Sequence, residues 1–410
     1  MLIVARRVGA HVFLGKLTKD PGMGITFVRK AKETKEVRDM KEEGASTAAG
    51  LPLSESTYAK WQREEGMPVH TGFWADPMSV KVAPWERKQC LGAYINLADQ
   101  ESLDAYVVEI PPGQQTRPER YMYEEMIYVL KGKGATTVWF DGVEKRTFEW
   151  QEGSLFSPPL NCWRQHFNGQ GSEAVRFVAV TSGPHVVNLF HSKEFIYNNS
   201  FVFHDRYRPE QDYFSGRGEQ KAFSIPSGAG ARYGGRILRI WKTNIIPDVR
   251  QFDQLTDHNK AMYAPGAARS VDYVLADNTI GGHIVDQQSG FYKKAHRHGP
   301  GAHLMIVRGS GYSLLWEPGK ERIRVDWQPG ILLSPPDMWY HNHMSTGKVP
   351  ARQLALRWGG EYKGVHRGID RDYGELIEYE DEDPDIRKEF AEECRKNGVE
   401  MRMPPVVYRR

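Results

Sequence analysis

"FEWQEGSLFSPPLNCWRQHFN" (148–168) and "VDWQPGILLSPPDMWYHNHMS" (325–345) carry the same pattern twice. Trp150 matches Trp327, Gly153 matches Gly330, Pro158-Pro159 match Pro335-Pro336, and His166 matches His343, every pair separated by the same 177 positions. That spacing also carries Gly113 onto Gly290, Gly132 onto Gly309 and Trp139 onto Trp316, so the register runs ungapped from about 113 to 168. A repeat sustained over this length predicts two copies of one domain.

Each copy reads as β-structure. "DAYVVEI", "EMIYVL", "TTVWF" and "AVRFVAVTS" are short, rich in β-branched and aromatic residues, and separated by Gly and Pro, the signature of antiparallel strands. Their regular succession predicts an all-β chain of two tandem barrels or jelly rolls. Helical patterns occur only at the flanks, in "SESTYAKWQREEG" (54–66) and in "DPDIRKEFAEECRKNG" (383–398), with Ser, Asp and Pro at the starts and Gly at the ends. The expected organisation is a leader and helical arm (1–88), a first barrel (89–185), a connection (186–265), a second barrel (266–365) and a C-terminal helical arm (366–410).

Composition narrows the function. A formal charge of +3 gives no reason to expect nucleic acid or an anionic membrane as partner. No apolar run approaches the roughly 18 to 20 residues of a membrane span. Cys90, Cys162 and Cys394 are few, odd in number and far apart, which fits a reducing cytoplasm rather than a disulfide framework. The opening fifteen residues, interrupted by Arg6, Arg7 and His11, make a poor signal peptide and read as a poorly ordered leader. The glycine-rich 228–235 lacks the Lys-Ser/Thr of a phosphate loop, and the acidic run at 378–385 reads as a solvated lead-in to the last helix.

The chemistry-bearing stretch is "AHRHGPGAHLMIVRGSG" (295–311), with three histidines in eight positions. Residues two apart on a strand share a face, so His296 and His298 can converge on one interior point, and His341 can reach it from another strand. Three imidazoles suit a first-row divalent ion. A shift of 177 replaces them in the first copy by Glu119, Tyr121 and Arg164, and Ala302 by Glu125. Those side chains can form an internal ion-pair and hydrogen-bond set, so the first barrel is expected to hold no metal.

Gly290, then His296-x-His298, then the Gly-x-Gly turn at 309–311 resembles the first cupin motif. "GILLSPPDMWYH" (330–341) resembles the second, with Met338 where the pattern has glycine. Within the cupins the chain is most similar to the bicupin branch of gentisate 1,2-dioxygenase and related ring-cleaving enzymes, whose motifs read His-Arg-His followed by an alanine, and Trp-His-x-His. Here His296-Arg297-His298, Ala302 and Trp339-Tyr340-His341-Asn342-His343 stand in those places. The resemblance covers roughly 90 to 365. It implies two double-stranded β-helix barrels, Fe(II) as cofactor with Mn, Zn or Ni as alternatives, a small-molecule substrate with dioxygen, and a homo-oligomer to which the arms contribute. Iron in that branch usually sits in the first cupin, whereas the histidines here lie in the second.

Several assignments stay open. The ion has three histidine ligands, or His303 swings in as a fourth; strand alternation favours three, because Ala302 holds the inward register. His343 is a candidate acid or base, yet His166 keeps its place in a copy without the triad, which points to the barrel wall. Arg357 and Arg308 are candidate carboxylate anchors, and Trp339 and Tyr340, with Tyr312 and Trp316, are candidate linings of the mouth. The leading function is oxidative cleavage of a hydroxylated aromatic acid. The rivals are a cupin isomerase, lyase or hydrolase using the ion as Lewis acid, and a non-catalytic binding or accessory protein.

Overall fold

The computed structural model describes residues 4–8, 11–15, 55–99, 101–207, 212–224, 237–257, 262–299, 301–358 and 375–409. The chain divides into a unit Met1–Glu55 and a unit Ser56–Arg410. In the first, Val4–Val8 pairs antiparallel with His11–Gly15. The remainder of the expected leader lies outside the described residues, as do the glycine-rich 228–235 and the start of the C-terminal arm up to 374.

The second unit holds two tandem jelly-roll barrels, each made of one large and one small antiparallel-dominated sheet. In the first barrel the large sheet runs 155–156, 125–131, 175–181, 104–110, 90–97, 69–72, and the small one 146–151, 133–139, 163–168. In the second the large sheet contains 237–243, 268–275, 281–287, 351–357, 302–308, 332–333, and the small one 291–292, 340–345, 311–316, 323–327.

The pairings repeat almost residue for residue. Thr181 faces both Glu125 and Asp104, and Arg357 faces both Ala302 and Gly281. The strand Glu125–Lys131 and the strand Ala302–Arg308 meet their neighbours with the same bulge, skipping Leu130 in one and Val307 in the other. Glu119 bridges to Arg164 as His296 bridges to His341. Gly134 and Gly311 show why the sequence repeats there. A Cβ on either would strike a backbone carbonyl, that of Phe167 or Met344, and the ring of Trp150 or Trp327. Only a bare backbone lets that tryptophan lie across the strand.

Several strands read as unbroken apolar runs because both faces are covered. All seven residues of Val175–Thr181 are buried. Along Asp104–Ile110, Tyr106 and Val108 fill the first barrel's interior. Ala105 and Val107 instead join Val271, Ile284, Met305 and Leu354 of the second barrel in one common core. Burial at about 25 cal/mol per Å² of apolar surface makes this shared layer a main source of stability. The barrels also trade edges. Ile245–Ile246, from the connection, pairs with Leu155–Phe156 of the first barrel, and Trp74–Ala75, from before the first barrel, pairs with Leu332–Leu333 of the second.

Both arms pack onto barrels of their own chain. The helix Thr57–Glu65 starts at Ser56, whose side chain accepts from the Ala59 N–H, and stops at Gly66 (φ 70°). Its Trp61 packs with Tyr121, Tyr123 and Ile196 over the first barrel's mouth. The helix Pro384–Lys396 is capped by Asp383 and lays Ile386, Phe390 and Cys394 on the outer face of the second barrel's small sheet. Two helices were not anticipated, Gly183–Phe190 and Lys193–Tyr197, which follow the first barrel. Pro184 in the first turn and Ser192 as N-cap account for them locally. All three cysteines are buried and free, and among the described residues no helix is long and apolar enough to cross a membrane.

Candidate metal centre

His296 and His298 arrive on the segment that follows the short strand Phe291–Tyr292, and His341 lies in the strand Tyr340–Ser345. Reciprocal backbone hydrogen bonds between His296 and His341, 3.0 and 2.8 Å, fix the two segments side by side. One nitrogen of each of the three histidines lies within 4.8 Å of those of the other two. Their ring centroids are 4.2 Å (296–341), 4.9 Å (298–341) and 5.6 Å (296–298) apart.

The ring orientation is set from behind. His296 Nδ1 lies 3.0 Å from the Lys294 carbonyl and His341 Nδ1 3.1 Å from the Trp339 carbonyl. A proton on each Nδ1 donates to that carbonyl and leaves Nε2 with its lone pair toward the cluster, the arrangement by which proteins prepare imidazole ligands. Burial, followed by the charge of Lys293, holds His296 well below the ordinary histidine range and His341 down to about 3. Both are therefore neutral, the form that binds metal. Among the described residues no carboxylate or thiol joins this group.

Strand alternation decides the place of His303. On Ala302–Arg308, Leu304 and Ile306 face the barrel interior and Met305 faces the layer shared between barrels. Ala302 thus points inward and His303 outward. His303 is fully buried, has no hydrogen-bond partner on either nitrogen among the described residues, and is held down to about 4 by burial. Its counterpart in the first barrel is Met126, also in the shared layer. We expect His303→Met to leave bound metal unchanged and to raise stability by about 1–3 kcal/mol, the usual cost of an unsatisfied buried polar group. Elemental analysis together with denaturant melting checks this, and loss of metal would mark His303 as a ligand.

His343 also points inward. Its Nδ1 meets Ser313 Oγ at 2.8 Å, and Trp327 Nε1 donates to the same hydroxyl at 3.0 Å. The first barrel repeats this chain, with His166 against Thr136 at 2.8 Å and Trp150 donating to Thr136 at 2.8 Å. A relay present in both copies accounts for His166 and His343 as parts of the wall.

The remaining candidates separate by face. Arg357 ends the strand Ala351–Arg357 opposite Ala302 and on the inward register, and its charge acts on His341 and Lys293. Trp339 packs against Phe73, centroids 5.7 Å apart, at the rim. Tyr340 was expected to line the mouth with Tyr312 and Trp316, but it lies on the other face. Its ring stacks on Trp316 at 5.6 Å, Arg297 covers it, and Tyr312 and Trp316 belong to the cluster beneath the C-terminal helix. The reason is the period of two, since His341 cannot face in unless Tyr340 faces out. Arg308 is committed to the outer surface, where it pairs with Asp286.

In the first barrel the corresponding positions form a closed polar network. Arg164 donates to Glu125 at 3.0 Å, both 1% exposed, and its guanidinium lies 3.9 Å from the Tyr121 ring centroid. Tyr106 donates to Glu125 as well. The Glu119 carboxylate does not join that pair but takes Lys88 and Arg87 instead, and Arg87 also holds Glu65 of the N-terminal helix. Lys88 lies 5.0–5.2 Å from the rings of Trp85, Tyr106 and Tyr121. These two cations were missed in the sequence, because nothing in "WERKQC" distinguishes them from surface charge.

One inward residue of the second barrel was missed too. Lys293 donates its N–H to the His343 carbonyl and so shares the inward face of the neighbouring strand, while Lys294 turns out to pair with Glu378. Burial, followed by the charge of Arg357, holds Lys293 down to about 7.

No family model matches the sequence, and no curated protein does. Solved structures are similar at low identity. They include oxalate decarboxylase of Lactobacillus farciminis in a formate complex (14% identity, 70% of this chain and 86% of that one, TM-score 0.43). A tryptophan-to-tyrosine variant of Bacillus subtilis oxalate decarboxylase matches at 11% identity over 83% of this chain and 87% of that one (TM-score 0.44). Vicilin of the hazelnut Corylus avellana matches at 10% identity over 70% and 86% (TM-score 0.43). The fold assignment rests on the strand pairings of the two barrels themselves.

Proposed function

We propose that the second barrel is a mononuclear non-haem metal site that opens a hydroxylated aromatic acid, with Fe(II) held by His296, His298 and His341 and dioxygen as co-substrate. The observation that carries this reading is the convergence of three neutral imidazoles, two of them oriented by backbone carbonyls, beside an alanine. Such a donor set leaves the ion at its full charge and Ala302 leaves one side without a protein ligand, which suits an anionic chelating substrate. Bound there, Fe(II) would supply the redox chemistry that lets dioxygen attack a chelated ring.

The chain's own residues bind and orient. Arg357, inward beside Ala302, is placed to hold a carboxylate. Trp339 and Phe73 screen the rim from water, and His343, locked to Ser313, shapes the wall behind His341. The first barrel supports the second and holds no ion in this reading.

Three imidazoles also accept Zn(II), Mn(II) or Ni(II), so a Lewis-acid isomerase, lyase or hydrolase is the second reading. Anaerobic purification, elemental analysis and an oxygen electrode separate the two. We expect about one ion per chain and oxygen uptake with at least one dihydroxybenzoate or hydroxybenzoate. A bound ion with no uptake across such a panel favours the second reading, and a chain that retains no ion sinks both.

A further inference from the structure

The two barrels differ in how their interior charge is balanced. In the first, Arg87, Lys88 and Arg164 face Glu65, Glu119 and Glu125, so that each of these three cations has a carboxylate. In the second, the counterparts of Glu119 and Glu125 are His296 and Ala302. Both carboxylates are gone, yet a lysine remains. Lys293 occupies the position of Thr116, and its field reaches His296, His341 and His343. Among the described residues no carboxylate pairs with it, and its Nζ lies 5.8 Å from the Tyr263 ring centroid. Arg357 ends the strand opposite Ala302, and its charge acts on Lys293.

Lys293 stands half-buried on this face with no carboxylate partner among the described residues, so no ion pair of the fold accounts for a cation there. From this imbalance we infer that Lys293 is an anion anchor, and that the ligand of the second barrel carries an anionic group in addition to the two oxygens that would chelate the metal. This rests on the metal reading for its geometry but not for its charge. A neutral diol or sugar would leave Lys293 unpaired, whereas a ring acid with a carboxylate outside its chelating pair would supply the charge that Glu119 and Glu125 supply to the first barrel. Ligand specificity would then be divided between the histidines, which select the chelating pair, and Lys293, which selects the extra charge.

The test compares catechol with 2,3- and 3,4-dihydroxybenzoate, which keep the chelating pair and add one carboxylate. Titration calorimetry on the metal-loaded protein without oxygen should give at least one of the two acids about tenfold or more tighter binding than catechol, in line with a charge-assisted bond. Lys293→Met should abolish that preference with metal content unchanged, Lys293→Arg should keep most of it, and Lys293→Met should melt no lower than the parent. Equal binding of catechol and both acids by the parent, or a preference that survives in Lys293→Met, overturns the inference. If the parent holds no ion, the proposed function fails separately. Lys293 is then judged on the metal-free protein, by whether the acids but not catechol raise its melting temperature and whether Lys293→Met removes that rise.

Discussion

Single replacement of His296, His298 or His341 by alanine is expected to empty the second barrel of divalent metal. Each supplies one of three mutually adjacent nitrogens, and no carboxylate joins the group among the described residues. Two imidazoles hold a divalent ion poorly, and the loss should exceed the roughly 10–100-fold that removing an outer partner of a ligand costs. Metal content falls together with any oxygen uptake in all three variants. The fold should survive, since deleting a neutral side chain strands no charge in the core. Full metal retention by any one of them would show that the ion is held elsewhere.

Glu125→Ala is expected to do the opposite, leaving metal content intact while costing about 3–5 kcal/mol of stability, the range for stripping one partner from a buried ion pair. Arg164 would be left 1% exposed with no carboxylate. Replacing both partners by apolar residues, Glu125→Leu with Arg164→Met, should recover most of the loss, since burying two well-packed apolar side chains needs no charge compensation. Denaturant melting reads the first effect and elemental analysis the second. A drop of one ion per chain would place the metal in the first barrel instead.

The same pair fixes the acid limit. Burial raises the Glu125 carboxyl, but Arg164, Lys88, His166 and the Tyr106 hydroxyl overcome it and bring it to about 2. A depressed carboxylate contributes stability that is complete above the unfolded value of about 4.3 and is lost as pH falls toward its folded value. His166 and His303, held to about 3 and about 4, act in the same direction. The unfolded chain protonates them near pH 6.5 and the folded chain does not. Stability should therefore decline in stages as pH drops from about 6.5, first through the histidines and then through Glu125.

Much of this was legible in the sequence, and for a physical reason. The spacing between Glu119 and Arg164 and that between His296 and His341 are the same, and a hydrogen-bonded sheet tolerates no slip once one face is buried, so equal spacing became equal pairing. Alternation likewise separates Ala302 from His303 in the sequence itself. The sequence was silent where the partner lies far along the chain. Lys88 against Glu119 is such a case, as is Lys293 beside His343, and no local pattern marks either as interior. Tyr340 was misread because an aromatic residue next to a ligand looks like a lining, although adjacency on a strand means the opposite face.

The traded edges have a consequence for dissecting the molecule. Cutting the chain just after the first barrel would strip Ile245–Ile246 from Leu155–Phe156, and Trp74–Ala75 from Leu332–Leu333. Each half would then present an open rim next to the apolar layer it once hid, the two features that make free sheets stick to one another. Neither half is a module that can be lent to another protein or lost without the other. The copy that carries none of the three histidines is in that sense the clasp of the copy that does, and the pair should melt in one step.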